Sequence, residues 1–150
     1  MVDTDTLHNV GLFEGLSKEQ YSRIADVAEE VHHSRGTLIF QEGERAEHVY
    51  VMLEGKAAIR IHLTSRPESL TVSVINKPYQ SLGWSGIVSP NYFTASAVCE
   101  TDCRLLAIPG DALMEILKQD PEAAFLVMCR ISELISDRLR SSRQVLLKSL

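Results

Sequence analysis

A short stretch in the second half of the chain collects residue types that bind small anions and flat rings. It runs SLGWSGIVSPNYFTASA, from Ser81 to Ala97. Small residues at a helix start leave backbone amides open to an anion, and hydroxyls on a facing strand add donors. The aromatic side chains either stack on a ligand ring or fill the space where a ligand would lie. The candidate ligand-binding residues are Gly83, Trp84, Ser85, Gly86, Phe93, Thr94 and Ser96.

This stretch contains no basic residue. No Arg or Lys occurs between Lys77 and Arg104. A phosphate site normally presents an Arg fork, because each hydrogen bond to a charged group contributes about 1.5–3 kcal/mol. Arg60 and Lys56 are available in the sequence, but nothing in the pattern directs either of them to the site. The sequence therefore predicts uncharged donors, and no positive side chain, at the candidate site.

Metal and catalytic chemistry find little support in the sequence. His32 and His33 are adjacent, so on a strand they point to opposite faces and cannot hold one ion together. Nucleophile-elbow, HExxH, P-loop and dinucleotide-binding motifs are all missing. The cysteines form no CxxC pair, and we expect all three to be small buried residues. They are Cys99, Cys103 and Cys129. We therefore predict a non-enzymatic protein without a metal site.

The elements that must position the site form a β-rich body between two helical ends. In residues 31–109, runs such as HVYVML and LTVSVI alternate apolar and polar residues and are separated by turn signals. In residues 1–30, Ser17 and Gln20 have capping-box spacing at the start of SKEQYSRIADVAEE. In residues 110–150, Pro121 suits the first position of a long helix. We predict a single mainly β domain with flanking helices: an antiparallel β-roll of the double-stranded jelly-roll type, with N-terminal helices and a long C-terminal helix.

The last predicted helix carries an apolar stripe at spacings of mainly three and four residues. Its members are Phe125, Met128, Ile131, Ile135, Leu139 and Leu146. Such a stripe packs either on the roll of the same chain or on the same helix of a second chain. Because the helix is longer than a small roll can cover, we favour the second arrangement. The prediction is a homodimer through the C-terminal helix.

Composition and charge limit the classes of partner that we expect this protein to bind. The 150 residues, 45% of them hydrophobic and 23% charged, are typical of one globular domain. A net charge of -5 disfavours broad nucleic-acid binding, which needs a basic face. No stretch approaches the roughly 18 apolar residues of a membrane span, and the N-terminus lacks signal-peptide features. We expect a cytoplasmic protein that contacts neither membrane nor DNA, with a small molecule or another protein as its partner.

Two longer segments resemble a known family. The first, GTLIFQEGERAEHVYVMLEGKAAI, runs from Gly36 to Ile59, and the second, SLGWSGIVSPNYFTASAVCETDCRLLAIP, from Ser81 to Pro109. In order and spacing they resemble the cyclic-nucleotide-binding domain shared by the catabolite activator protein and the regulatory subunit of protein kinase A. The resemblance implies that residues 82–96 form the phosphate-binding cassette of the roll, and that the C-terminal helix relays ligand binding.

The resemblance also shows what this cassette lacks. The family pairs a Gly-Glu dipeptide with an Arg at the next strand, whereas Trp84 follows Gly83 here and Phe93 takes the arginine position. Losing a two-pronged arginine contact weakens phosphate binding roughly a hundredfold. The resemblance therefore implies a regulatory or sensor module whose ligand is not an ordinary cyclic nucleotide, although a cyclic nucleotide stays open. The alternative is a structural or protein-interaction module, with a pocket filled by Trp84 and Phe93. Since DNA-binding relatives continue beyond the long helix and this sequence stops at Leu150, direct DNA reading is not expected.

Overall fold

The computed structural model describes residues 2–149 as eight strands flanked by helices. The strands are β1 (Glu29–His33), β2 (Leu38–Phe40), β3 (His48–Glu54), β4 (Ala57–His62), β5 (Ser69–Ile75), β6 (Ser81–Leu82), β7 (Ser96–Cys99) and β8 (Cys103–Pro109). The α-helices are α1 (Thr4–His8), α2 (Lys18–Val27), α3 (Gly110–Lys118) and α4 (Pro121–Lys148). Two short 3-10 turns cover Gly11–Phe13 and Trp84–Gly86.

The strands form two four-stranded antiparallel sheets that face each other. One sheet has the order β1-β8-β3-β6 and the other β2-β7-β4-β5. The tight turn after β3 depends on Gly55, whose φ is +117° and whose added Cβ would lie 2.6 Å from the carbonyl oxygen of Asp102. Only a residue without a side chain fits there. The predicted antiparallel roll with flanking helices is confirmed.

Alternation along the strands produces two hydrophobic cores. Inside the roll, inward side chains of both sheets meet, among them Met52, Ile59 and Leu105. On the outer face of the β1-β8-β3-β6 sheet, Val51 and Leu106 pack against the helices. Neighbouring residues of one strand thus serve opposite cores, as the period of two requires. This second core, the helical core, attaches the helices to the roll.

The N-terminal helices differ in part from the prediction. The capping box is present, with Gln20 N donating to Ser17 Oγ at 3.2 Å and Ser17 N donating to Gln20 Oε1 at 2.7 Å. Helix α2 ends at Val27, however, because Glu29 and Glu30 pair with β8 as the start of β1. The five-residue helix α1 was not predicted. It is capped by the Asp3 side chain and anchored by the buried Leu7.

Helix α4 is the longest element, with 28 residues and a length of about 42 Å. Pro121 occupies its first turn as predicted, and the side chain of Asp120 caps its amides. Within the described part of the chain, no helix combines the length and the apolar character that crossing a membrane requires. The helix packs on the Gly11–Phe13 turn and α3 near its start and on β5 further along, so it passes from the N-terminal region to the roll.

Candidate functional site

The cassette backbone is held by close approaches between main-chain segments. Gly83 has a left-handed conformation, with φ of +77°, and leads into the 3-10 turn. An added Cβ on Gly86 would lie 2.7 Å from the His48 carbonyl, and one on Gly110 would lie 1.9 Å from the Gly86 carbonyl oxygen. The turn is therefore pressed between β3 and the start of α3. Gly86 serves this packing and does not line the cavity that lies beside the cassette.

The predicted helix start is only a three-residue 3-10 turn. Within it, Gly86 N donates to Gly83 O at 3.1 Å, and Ile87 N, which follows the turn, donates to Trp84 O at 2.9 Å. Val88 N also donates to Trp84 O, at 3.0 Å. The amides that could face an anion are therefore those at the start of this short turn.

A cavity of about 330 Å³ lies beside the cassette. Five of the seven predicted site residues line it, namely Gly83, Trp84, Ser85, Phe93 and Thr94. Ser96 does not, because its hydroxyl accepts a hydrogen bond from Glu42 N at 2.9 Å in a separate depression. Further walls come from β-strand and loop residues, among them Phe40, Ile61, Val72, Val88, Pro90, Tyr92 and Ala95. The cavity wall is thus mainly apolar, with hydroxyls on Ser85, Ser89, Tyr92, Thr94 and Ser142.

The aromatic side chains form walls and leave this space open. Phe93 is 7% exposed and stacks on Phe40, with ring centroids 4.0 Å apart, as part of the core inside the roll. The indole of Trp84 donates from Nε1 to Ser81 Oγ at 3.3 Å and is half-buried against the helical core. Phe93 is therefore a packing residue of the core inside the roll.

Helix α4 supplies the remaining wall, including a cation. Ile135, Arg138, Leu139 and Ser142 line the cavity from the helix. The Arg138 guanidinium carbon lies 5.4 Å from the centroid of the Trp84 ring. The prediction that no positive side chain reaches the cassette is therefore wrong. Spacings of three and four residues between Ile135, Arg138 and Ser142 put them on one helix face, but the sequence alone does not show which face meets the roll.

Arg138 is a half-buried cation whose guanidinium lies over the Trp84 ring. Burial lowers the pKa of its guanidinium, because the charged form loses water there. Across residues 2–149, no carboxylate lies within ion-pair distance of it, and none lines the cavity. The cations considered from the sequence lie elsewhere. Arg60 Nε donates to Ser69 Oγ at 2.8 Å, and Lys56 pairs with Glu100 at 3.3 Å.

The two halves of α4 have different surroundings. Ile131 is 2% exposed in the helical core, and Arg130 Nη1 donates to Leu12 O at 3.3 Å. Ile131 therefore packs within its own chain, which corrects its assignment to a dimer stripe; Met128 also packs partly on this core. The other stripe members are exposed, with Phe125 at 67%, Ile135 at 42%, Leu139 at 70% and Leu146 at 40%.

The remaining polar and sulfur groups form no second centre. No cluster of three or more His, Cys, Asp or Glu side chains suited to a metal occurs among the described residues. Cys99 and Cys103 are buried as predicted, but Cys129 is exposed on α4. A cleft of about 420 Å³ holds Arg104, whose guanidinium already bonds Glu30 at 2.6 Å. The cassette cavity is thus distinguished from this cleft by a cation that is not already neutralised.

Solved structures share this fold. A protein from Geobacter metallireducens, described as a cyclic nucleotide-binding protein, superposes with a TM-score of 0.80 at 25% identity, covering 93% of this chain and 99% of its own. The sensor domain of the transcriptional regulator DNR from Pseudomonas aeruginosa superposes with a TM-score of 0.78 at 19% identity over 91% of each chain. At 19% identity, the likeness to the DNR sensor domain shows a shared fold alone.

Sequence comparisons identify the family. The chain is 27% identical over 118 residues to the CRP-like cAMP-activated global transcriptional regulator of Mycobacterium tuberculosis, covering 79% of this chain and 52% of that protein. It is 26% identical over 98 residues to a cGMP-dependent protein kinase of Drosophila melanogaster, covering 65% of this chain and 10% of the kinase. The chain thus spans about a tenth of the kinase and half of the regulator. Because the family model matches residues 30–120, well over half of its length, the chain belongs to the cyclic nucleotide-binding domain family.

Proposed function

We propose that this domain is a regulatory sensor that binds a small ligand in the cassette cavity and responds through α4. The observation that carries the proposal is the open cavity of about 330 Å³, whose walls come from both the cassette and α4. A ligand seated there touches two elements at once, so it favours the arrangement in which both are in place. A ligand shifts such an equilibrium only by binding one arrangement more tightly than the other.

The construction of α4 supports this response. Its first half is fixed by the buried Val127 and Ile131. Its second half reaches the cavity with Ile135 and Leu139, which are substantially exposed. Segments with few buried contacts open at lower free energy than the core does. The second half of the helix is therefore the part whose position a ligand would control.

The lining favours a ligand other than an ordinary cyclic nucleotide. A cyclic nucleotide needs an acceptor for its ribose hydroxyl, and the cavity wall contains no carboxylate. Buried polar groups without partners cost about 1–3 kcal/mol each. A regulatory role also assigns no catalysis to the domain, and we propose a cytoplasmic location without direct DNA contact.

Trp84 provides a direct test, because it is the single tryptophan and lines the cavity. Titration of the protein with cyclic AMP, cyclic GMP and a panel of small metabolites should change its fluorescence for the ligand that binds. A ligand at a hundred times its dissociation constant adds about 2.7 kcal/mol, which raises the melting temperature of a domain of this size by about 5–11 °C. If no compound changes either signal, the sensor proposal fails and the structural alternative stands.

A second experiment distinguishes a cavity that accepts a nucleotide from one that is blocked. The double variant Trp84→Glu, Phe93→Arg restores the charged residues of the family cassette. We expect it to gain cyclic AMP binding, measured by thermal shift, if the cavity accepts a nucleotide. Phe93→Leu serves as the control, since it changes the packing against Phe40 without adding charge. Equal responses of the double variant and the control would contradict an open nucleotide-sized cavity.

The exposed stripe of α4 favours a second function, association with another copy of the chain. Phe125 is a large apolar side chain that is 67% exposed and does not line the cavity. We propose that it contacts the same helix of a second copy. Sedimentation velocity should show a dimer that Phe125→Asp converts to monomer, whereas Gln144→Asp, on an exposed position of the same helix, leaves it intact. A monomeric parent protein at high concentration would refute this.

A further inference from the structure

The charges of the cavity define the chemistry of its occupant, an inference that rests on the sensor function proposed above. The lining contains one charged side chain, Arg138, and otherwise hydroxyl, backbone and apolar groups. An anion seated there meets a guanidinium that no acidic residue of the lining neutralises. Because Arg138 is half-buried, it attracts an opposite charge more strongly than a fully exposed cation does.

The apolar walls define the rest of the occupant. The stacked Phe40 and Phe93 rings form one side, and the indole of Trp84 forms another, with the Arg138 guanidinium carbon over it at 5.4 Å from the ring centroid. Flat apolar bodies match such surfaces, since aromatic rings pack well in offset or edge-on contact. Sugars match them poorly, because each buried hydroxyl without a partner weakens binding by roughly ten- to a hundredfold.

We propose that the cavity binds an organic monoanion in which one carboxylate is joined to a flat, apolar ring body. The carboxylate lies on the Arg138 guanidinium, whose planar fork suits two parallel hydrogen bonds to one carboxylate. The ring lies against Phe40 and Phe93. Ser85, Thr94 and Ser142 are among the lining residues whose hydroxyls are available to the carboxylate. Arg138 is thus the residue that specifies the class of ligand.

Calorimetric titration of the full chain with 2-naphthoate and with 2-naphthalenemethanol tests the proposal, because the two differ mainly in charge. We expect the acid to bind at least tenfold more tightly than the alcohol. Arg138→Met should remove that difference by weakening the acid alone, and Arg138→Lys should restore part of it. Arg143→Met, the same change at an exposed position of α4, should bind like the parent protein.

The possible results distinguish failure of the carboxylate assignment from failure of the sensor function. If the alcohol binds as tightly as the acid, or if Arg138→Met keeps the difference, the carboxylate assignment is wrong while the sensor function stands. If 2-naphthoate does not bind at millimolar concentration but a nucleotide changes Trp84 fluorescence, the assignment is again wrong and the cavity still functions. If no compound of either kind binds, both proposals fail. Should Arg138→Met not fold, the comparison of acid and alcohol on the parent protein still decides.

Discussion

Replacing Ile131 and Ile135 by alanine, one at a time, tests how α4 is attached. Both belong to the same apolar stripe, but Ile131 is 2% exposed and Ile135 is 42% exposed. The change removes three carbon atoms, worth about 2.4 kcal/mol when fully buried at about 0.8 kcal/mol each. At Ile131 the cavity left behind adds to this, giving about 3–4 kcal/mol. At Ile135 only part of the side chain is buried and no closed cavity forms, so at most about 1.4 kcal/mol is lost.

Urea unfolding followed by circular dichroism measures both values. In a domain of this size, the Ile131→Ala loss corresponds to a melting temperature lower by about 6–16 °C. The measurement is repeated over a wide range of protein concentrations, because contacts within one chain have a cost that does not depend on concentration. An Ile131→Ala cost below about 1 kcal/mol, or one that grows with protein concentration, would refute the assignment of Ile131 to the core of its own chain.

Two further predictions concern the glycine contact and the buried thiol. Gly110→Ala should destabilise the protein by at least about 2 kcal/mol in urea unfolding, because its Cβ would collide with the Gly86 carbonyl oxygen at 1.9 Å, whereas Gly11→Ala, with nothing within 4 Å, should be nearly neutral. In the folded protein, iodoacetamide should modify the exposed Cys129 long before Cys99. Burial raises the pKa of the Cys99 thiol from 9.0 to about 12, so its protonated form stabilises the fold below pH 9. That contribution is lost as the pH rises from 9 towards 12, which alkaline unfolding should reveal.

The roll could be predicted from the sequence because its signals are local. Alternating residues such as Val49, Tyr50 and Val51 must point to opposite faces of a strand, and each face here has its own core. Turn glycines such as Gly55 mark backbone conformations that other residues rarely adopt. Several independent segments of this kind agreed in order, so the fold followed from them.

The cavity wall on α4 could not be predicted in the same way. Whether Ile131 or Leu139 faces the protein depends on how the helix is rotated, and the apolar stripe is wide enough to allow either. The rotation is set by long-range contacts, such as the bond from Arg130 to the Leu12 carbonyl. Arg138 lies 54 residues after Trp84 in the chain, so no spacing in the sequence connects the two.

In the sensor function that we propose, a cation on the helix and not on the roll changes how ligand binding is transmitted. In the family pattern implied by the resemblance, the arginine leads a strand of the roll, so the roll holds the anion first and the helix follows. Here Phe93 takes that position, and Arg138 places the charge on the second half of α4. An anion that bonds Arg138 while its body rests on Phe40 and Phe93 ties the helix to the roll directly. Removing the charge should therefore weaken both the affinity and the coupling to α4, because the same guanidinium serves both.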